Sequence, residues 1–213
     1  MKRILFQGDS ITDALRSRDR DDFPGNGYPT LIKARLGVDL PGKYECMNRA
    51  VSGDRVVDLY ARMRRDMVKL SPDFISILIG INDVWHEIGS GNGVDAPKFE
   101  RVYDWLLAEL KEALPGVTFV VIEPFVLEGS ATCACEERKD RWEYFRTETV
   151  KRAEAARRVA EKHHAVFVPM QAAFDAACEK APASWWLMDG VHPTSHGHEL
   201  IARGWMEAMK ALL

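Results

Sequence analysis

The chain has 213 residues, 46% of them hydrophobic and 29% charged, and its 29 Lys and Arg against 32 Asp and Glu give a formal charge of -3. This size and balance fit one globular domain over residues 1–213, with neither the basic surplus of a nucleic-acid binder nor a cationic face for an anionic membrane. The apolar run after the amino-terminal Met-Lys-Arg is too short for a signal peptide, and no stretch reaches the roughly 18 apolar residues of a membrane span, so a cytoplasmic protein without nucleic-acid or membrane partners is expected.

The first predicted element is a strand over Arg3–Gln7, which runs straight into Gly-Asp-Ser. A serine just past a strand reads as a cap for the next helix. It also reads as a nucleophile, because open α/β sheets bind ligands at the carboxyl ends of their strands. A helix at about Tyr28–Leu36 and a strand at Tyr44–Arg49 follow, the latter leading into "NRAVSGD" with Gly53. After a helix at Val56–Leu70 comes the strand Phe74–Ile79, which ends in "GINDVW" and presents Asn82 and Trp85. The glycine-rich Ile88–Gly93 lacks the Lys-Ser/Thr of a phosphate loop and reads as a flexible loop.

A helix at Lys98–Leu114 and a strand at Thr118–Ile122 precede a loop with Cys133 and Cys135. Together with Cys46 and Cys178 these thiols are too sparse for a disulfide framework and are expected to be reduced. The remaining elements are a helix at Glu137–His163, a strand at Ala165–Val168, a short helix at Gln171–Glu179 and a last helix at Ser195–Leu213. The strands are short and apolar without alternation, as strands buried on both faces are, and their βαβ rhythm predicts a mostly parallel five-stranded sheet with helices on both sides. Trp105, Trp142 and Trp205 fall within helices and are expected in the core.

Three strand ends thus carry Ser10, Gly53 and Asn82 along one sheet edge. Each motif alone reads as a cap or turn. A serine attacking an ester needs donors for the oxyanion it creates, and the Ser10 N–H, the Gly53 N–H and the Asn82 amide are three candidates. Before the last helix, "WWLMDGVHPTSHGH" places Asp189 and His192 three residues apart, a base and its orienting carboxylate on one loop. No G-x-S-x-G is present, which excludes the nucleophile elbow. A rival reading takes Asp189, His192, His196 and His198 as metal ligands; another is a non-catalytic sugar-binding protein.

The four blocks "GDSIT", "SGD", "GIND" and "DGVHP" resemble, in order and across nearly the whole chain, those of the SGNH or GDSL hydrolases. The resemblance implies a flavodoxin-like three-layer α/β/α fold and a cofactor-free serine esterase. In that reading Ser10 is the nucleophile, His192 the base and Asp189 its partner, with Ser10, Gly53 and Asn82 forming the oxyanion hole. Two departures touch none of these roles: Ile11 stands where the family name has Leu, and Asp54 where Asn often follows the glycine. "GINDVW", "PFVLEG" and "QAAF" further resemble the intracellular acetyl xylan esterases of the family, which implies a homo-oligomeric cytoplasmic enzyme acting on acetylated xylo-oligosaccharides. Asp9, Trp85 and Trp186 are the candidate substrate-binding residues. Trp85, next to the Asn82 loop, and Trp185 and Trp186, just ahead of Asp189, can offer flat apolar faces to a sugar ring, with core or subunit packing as the alternative reading of Trp85 and Trp186. Lysophospholipase or thioesterase chemistry on the same machinery is the alternative.

Overall fold

The computed structural model describes residues 1–213. Its elements in chain order are β1 (Lys2–Gly8), α1 (Ser10–Asp13), α2 (Tyr28–Asp39), β2 (Tyr44–Asn48), α3 (Val56–Asp66), a 3-10 turn at Val68–Leu70, β3 (Phe74–Leu78), α4 (Ile81–Ser90), α5 (Ala96–Ala113), β4 (Thr118–Ile122), α6 (Arg141–His163), β5 (Val166–Val168), α7 (Gln171–Cys178), α8 (Ala183–Trp186) and α9 (Ser195–Met209). The five strands pair in parallel in the order β2-β1-β3-β4-β5.

Alternate residues of each strand feed opposite faces of the sheet, and both faces are covered. Ile4, Phe6, Val120 and Ile122 pack with Tyr28, Ile32, Ile201 and Trp205 on one side. Leu5, Ile75, Ile77 and Val121 pack with Leu59, Phe99, Leu106 and Val159 on the other. That is why the strands read as unbroken apolar runs: in β3 all five residues are buried. Each such side chain contributes about 1.5–3 kcal/mol on burial. Ser76 at the centre of β3 is the polar exception, and its Oγ accepts the Trp205 indole N–H at 3.1 Å. The α5 helix buries Phe99, Val102, Tyr103, Leu106, Leu107 and Leu110, one continuous stripe at helical spacing.

The chain crosses from β2 back past β1 to β3, so the order of strand addition reverses between β1 and β3. The crevice above that reversal is where doubly wound sheets hold ligands, and Ser10 and Asn82 lie just beyond those two strands.

Strand ends fall within a residue of those expected, but α6 starts at Arg141 instead of Glu137, α9 ends at Met209 instead of Leu213, and other features differ as well. The stretch after β3 is helical: α4 covers Ile81–Ser90, so Ile88–Ser90 are its last residues and Gly91, at φ +62°, is its left-handed cap. The Gly93 N–H donates to the Glu87 carboxylate at 3.1 Å and the Val94 N–H to the Asp83 carbonyl at 2.9 Å, so this segment is folded back onto α4 instead of forming a free loop. Helix α3 stops at Asp66, where Met67 leaves helical geometry before the 3-10 turn. Trp105 is 54% exposed and leans on Tyr60 at the surface, in contrast to the fully buried Trp205.

Candidate active site

The Ser10 hydroxyl, at the start of α1, lies 2.9 Å from Nε2 of His192, whose Nδ1 lies 2.7 Å from Oδ2 of Asp189. The pKa of Asp189 is lowered: burial works to raise it, but hydrogen bonds from the His192 ring and from the His192 and Val191 backbone outweigh that effect. An ionised carboxylate can only accept, so Nδ1 of His192 carries the proton. Its Nε2 then presents a lone pair to the Ser10 O–H.

The Asp189–His192 loop is braced from the segment after β4. Leu127 N–H donates to the Gly190 carbonyl and Ala131 N–H to the Asp189 carbonyl, both at 2.9 Å. The Thr132 hydroxyl donates to the Leu127 carbonyl at 2.8 Å and accepts the Gly129 N–H at 2.9 Å, closing that brace on itself. A Cβ added at Gly129 would fall inside van der Waals contact of the Asp189 backbone. These residues include the Gly of "PFVLEG", and sequence reasoning attached no role to them.

Behind the serine, Asp9 is 1% exposed. One carboxylate oxygen accepts the Ile11 N–H at 3.0 Å and caps α1; the other is enclosed without a partner. Burial raises its pKa to about 7, against the pull of the Ile11 hydrogen bond and of nearby His192, while Asp54 adds to the rise. The enclosed Asp9 side chain therefore faces the protein interior and not an incoming substrate. Asn82 is buried on the first turn of α4, where its Nδ2 donates to the Asp54 carbonyl at 3.1 Å, which brings it against the loop that carries Gly53. Next to it, Asp83 is fully enclosed and accepts the Val56 N–H; burial raises its pKa well above the ordinary carboxylate range.

Of the tryptophans, Trp85 sits three residues beyond Asn82 on α4, half-buried, with its ring 5.9 Å from that of His192 and edge-on to Phe145. Trp186 has its side-chain contacts elsewhere. Its indole N–H donates to the Ala181 carbonyl, and its ring lines a groove with Ala173, Ala177, Leu200 and Arg203 between α7 and α9. The three histidines of the metal reading have separate partners. His192 joins Ser10 and Asp189, His196 stacks on Trp185 at 4.4 Å, and Nδ1 of His198 accepts the Tyr28 N–H at 3.2 Å. No group of three or more His, Cys, Asp or Glu side chains is gathered in metal-binding geometry.

A profile of the GDSL-like lipase/acylhydrolase family matches residues 6–200. An acetylxylan esterase of Geobacillus stearothermophilus is 29% identical over 96% of this chain and 92% of its own length. Its crystal structure superposes with a TM-score of 0.85 and 28% identity, covering 98% of this chain and 94% of that one. Serine-to-alanine and aspartate-to-alanine catalytic mutants of that esterase have the same fold. A candidate GDSL-like lipase from Parabacteroides merdae gives a TM-score of 0.89 at 36% identity, over 98% of this chain and 95% of that one. An alpha/beta hydrolase enzyme from the metagenome of Lake Arreo gives 0.86 at 28% identity, covering all of this chain and 96% of its own.

Proposed function

Because the chain belongs to the GDSL-like lipase/acylhydrolase family and is thereby a carboxylic ester hydrolase, we propose that it removes acetyl groups from xylo-oligosaccharides or related sugars through an acyl-serine intermediate. The observation that carries this reading is the unbroken relay from Ser10 through His192 to Asp189, at 2.9 and 2.7 Å. His192 Nε2 takes the Ser10 proton as Oγ attacks the acetyl carbonyl. The resulting oxyanion is held by the Ser10 N–H, the Gly53 N–H and the Asn82 side-chain amide. His192 then passes its proton to the sugar oxygen, which leaves. Water, deprotonated by the same imidazole, attacks the acetyl-Ser10 carbonyl, and collapse of that second intermediate releases acetate and returns the proton to Oγ.

No step of this sequence calls for a metal or cofactor. The sugar assignment is supported by the likeness to an acetylxylan esterase and by the Trp85 ring beside His192, a flat surface on which a pyranose can rest. A cytoplasmic homo-oligomer, implied by the sequence resemblance to the intracellular acetyl xylan esterases, belongs to the same proposal, and light scattering of the purified protein tests the assembly.

The test of the chemistry is labelling with a fluorophosphonate followed by peptide mapping. Adduct at Ser10 and an inactive Ser10→Ala variant are expected; a Ser10→Ala enzyme within tenfold of the parent would end this reading. The test of the substrate is a panel of acetylated xylo-oligosaccharides beside p-nitrophenyl esters of rising chain length. Each added methylene gains about 0.8 kcal/mol only where an apolar wall buries it. Acetyl esters are expected to react fastest, with acetylated oligosaccharides above aryl acetates in kcat/KM. Rates that climb from acetate to octanoate would instead assign a lipid or thioester substrate.

A further inference from the structure

The Gly53 N–H belongs to the central peptide of a β-turn. The Asp54 N–H donates to the Val51 carbonyl at 3.2 Å, and Gly53, third of the four residues, has φ +87°. Ser52, second of the four, has no positive φ, so the turn is of type II. Type I and type II turns differ mainly by a flip of that central peptide, which would reverse the direction in which the Gly53 N–H points. A side chain at Gly53 would meet no atom within 4 Å, so the backbone conformation, and not lack of space in the free protein, is what calls for glycine there.

Something must hold this turn in one state, and the grip on Ser52 comes from the nucleophile's own helix. Asp13 lies one turn beyond Ser10 on α1 and is 2% exposed. Its Oδ2 accepts the Ser52 N–H at 3.0 Å and the Ser52 O–H at 2.9 Å, and Nη2 of Arg18 at 2.5 Å. Burial works to raise the Asp13 pKa, but the hydrogen bonds from Arg18 and Ser52 outweigh it and the carboxyl stays below its ordinary range. The remaining corners of the turn are tied as well. The Val51 N–H donates to the Gly8 carbonyl at 3.1 Å, and Arg62 pairs with the Asp54 carboxylate at 2.7 Å.

We propose that Asp13 is a positioning residue for catalysis: by anchoring Ser52 to α1 it fixes the Val51–Asp54 turn with the Gly53 N–H directed at the carbonyl that Ser10 attacks. The nucleophile and one of its oxyanion donors are thereby set by a single four-residue helix, Ser10 at its start and Asp13 at its end. Arg18 offsets the negative charge that this anchor places near a developing oxyanion.

The inference rests on the serine mechanism proposed above, and a double-mutant cycle tests it separately from that mechanism. Asp13→Ala is expected to lower kcat on p-nitrophenyl acetate about tenfold or more, a fraction of the 10²–10³ that one oxyanion donor supplies, with KM little changed. In a Gly53→Ala background, where the turn has already lost its geometry, the same substitution should cost about twofold at most. Asp13→Asn keeps a carbonyl oxygen for the Ser52 N–H, so it should retain more activity than Asp13→Ala and serves if the alanine variant does not fold. Equal costs in the two backgrounds, an effect confined to KM, or an Asp13→Asn enzyme no better than Asp13→Ala would overturn the proposal. Fluorophosphonate labelling of Ser10, run alongside, shows whether the serine mechanism stands when this inference falls.

Discussion

Asp189 holds His192 at two points: Oδ2 meets the ring Nδ1 at 2.7 Å, and Oδ1 accepts the His192 backbone N–H at 2.8 Å. Oδ1 also accepts the Val191 N–H at 2.9 Å. One carboxylate therefore fixes the loop and the tautomer of the imidazole together.

The first prediction separates those two tasks. Asp189→Asn keeps an oxygen for the backbone N–H groups but can turn an N–H toward Nδ1, which favours the wrong tautomer. A loss in kcat of up to about 10⁴ is expected, with the melting temperature close to that of the parent. Asp189→Ala loses the loop anchor as well and should melt lower. Activity of Asp189→Asn within tenfold, measured on an acetyl ester at neutral pH, would mean that the carboxylate does not orient the base.

Asn82 gives the second prediction. Its Nδ2 rests on the Asp54 carbonyl at 3.1 Å, a bond that ties the Gly53 turn to α4. Asn82→Ala should lower kcat by on the order of 10²–10³ through the lost donor, and KM should change little. A change confined to KM would move Asn82 from the oxyanion to substrate binding.

Which parts of this site were legible in the sequence follows from how each part is built. Ser10, Asn82 and the Asp189–His192 pair stand directly after strands or beside a helix start, where local patterning marks the position. The parallel sheet was legible for a similar reason: strands such as β3 are buried on both faces and spell continuous apolar runs. The supports were not legible. Asp13 meets Ser52 across 39 residues, and Gly129 meets Asp189 across 60, contacts that no local period encodes. Helix α4 was hidden because Gly80, Gly89 and Gly91 surround a short apolar stripe, so the composition read as a loop. Trp186 and Trp85 look alike in sequence. Only the direction of the backbone places the Trp85 ring at His192 and turns that of Trp186 toward the groove between α7 and α9.

The third prediction concerns pH and stability. Burial lowers the pKa of His198 from 6.5 to about 4, so its neutral form stabilises the fold fully above about 6.5, and that contribution is lost as pH falls toward 4. Asp9 has the opposite sign. Its pKa is raised from 3.8 to about 7, so its contribution is full below about 4 and is lost as pH rises through 7. Between pH 4 and 7 the two slopes oppose each other. Asp9→Asn should therefore unmask a melting temperature that falls more steeply on acidification than in the parent, and His198→Gln one that falls more steeply as pH rises. Parallel curves for the parent and both variants from pH 4.5 to 7.5 would mean that neither group is held in its neutral form.

The last prediction tests the brace beneath the Asp189–His192 loop. A methyl group at Gly129 would overlap the Asp189 carbonyl group and the Gly190 nitrogen, and these are backbone atoms that cannot swing aside as a side chain can. The Leu127 and Ala131 N–H groups tie this strip of chain to Asp189 and Gly190, and the Thr132 hydroxyl stiffens the strip from within, so the strain has to move either the brace or Asp189 itself. Since Asp189 Oδ2 must stay within about 3 Å of Nδ1 to hold the imidazole, even a small shift acts on catalysis. Gly129→Ala should therefore lower kcat by about tenfold to 100-fold and also lower the melting temperature, although the residue touches neither Ser10 nor His192. Thr132→Ser keeps the hydroxyl and should preserve both properties, while Thr132→Ala leaves the Gly129 N–H without its acceptor and should reproduce part of the loss. A Gly129→Ala enzyme with unchanged kcat and unchanged melting temperature would mean that the loop after β4 does not support Asp189.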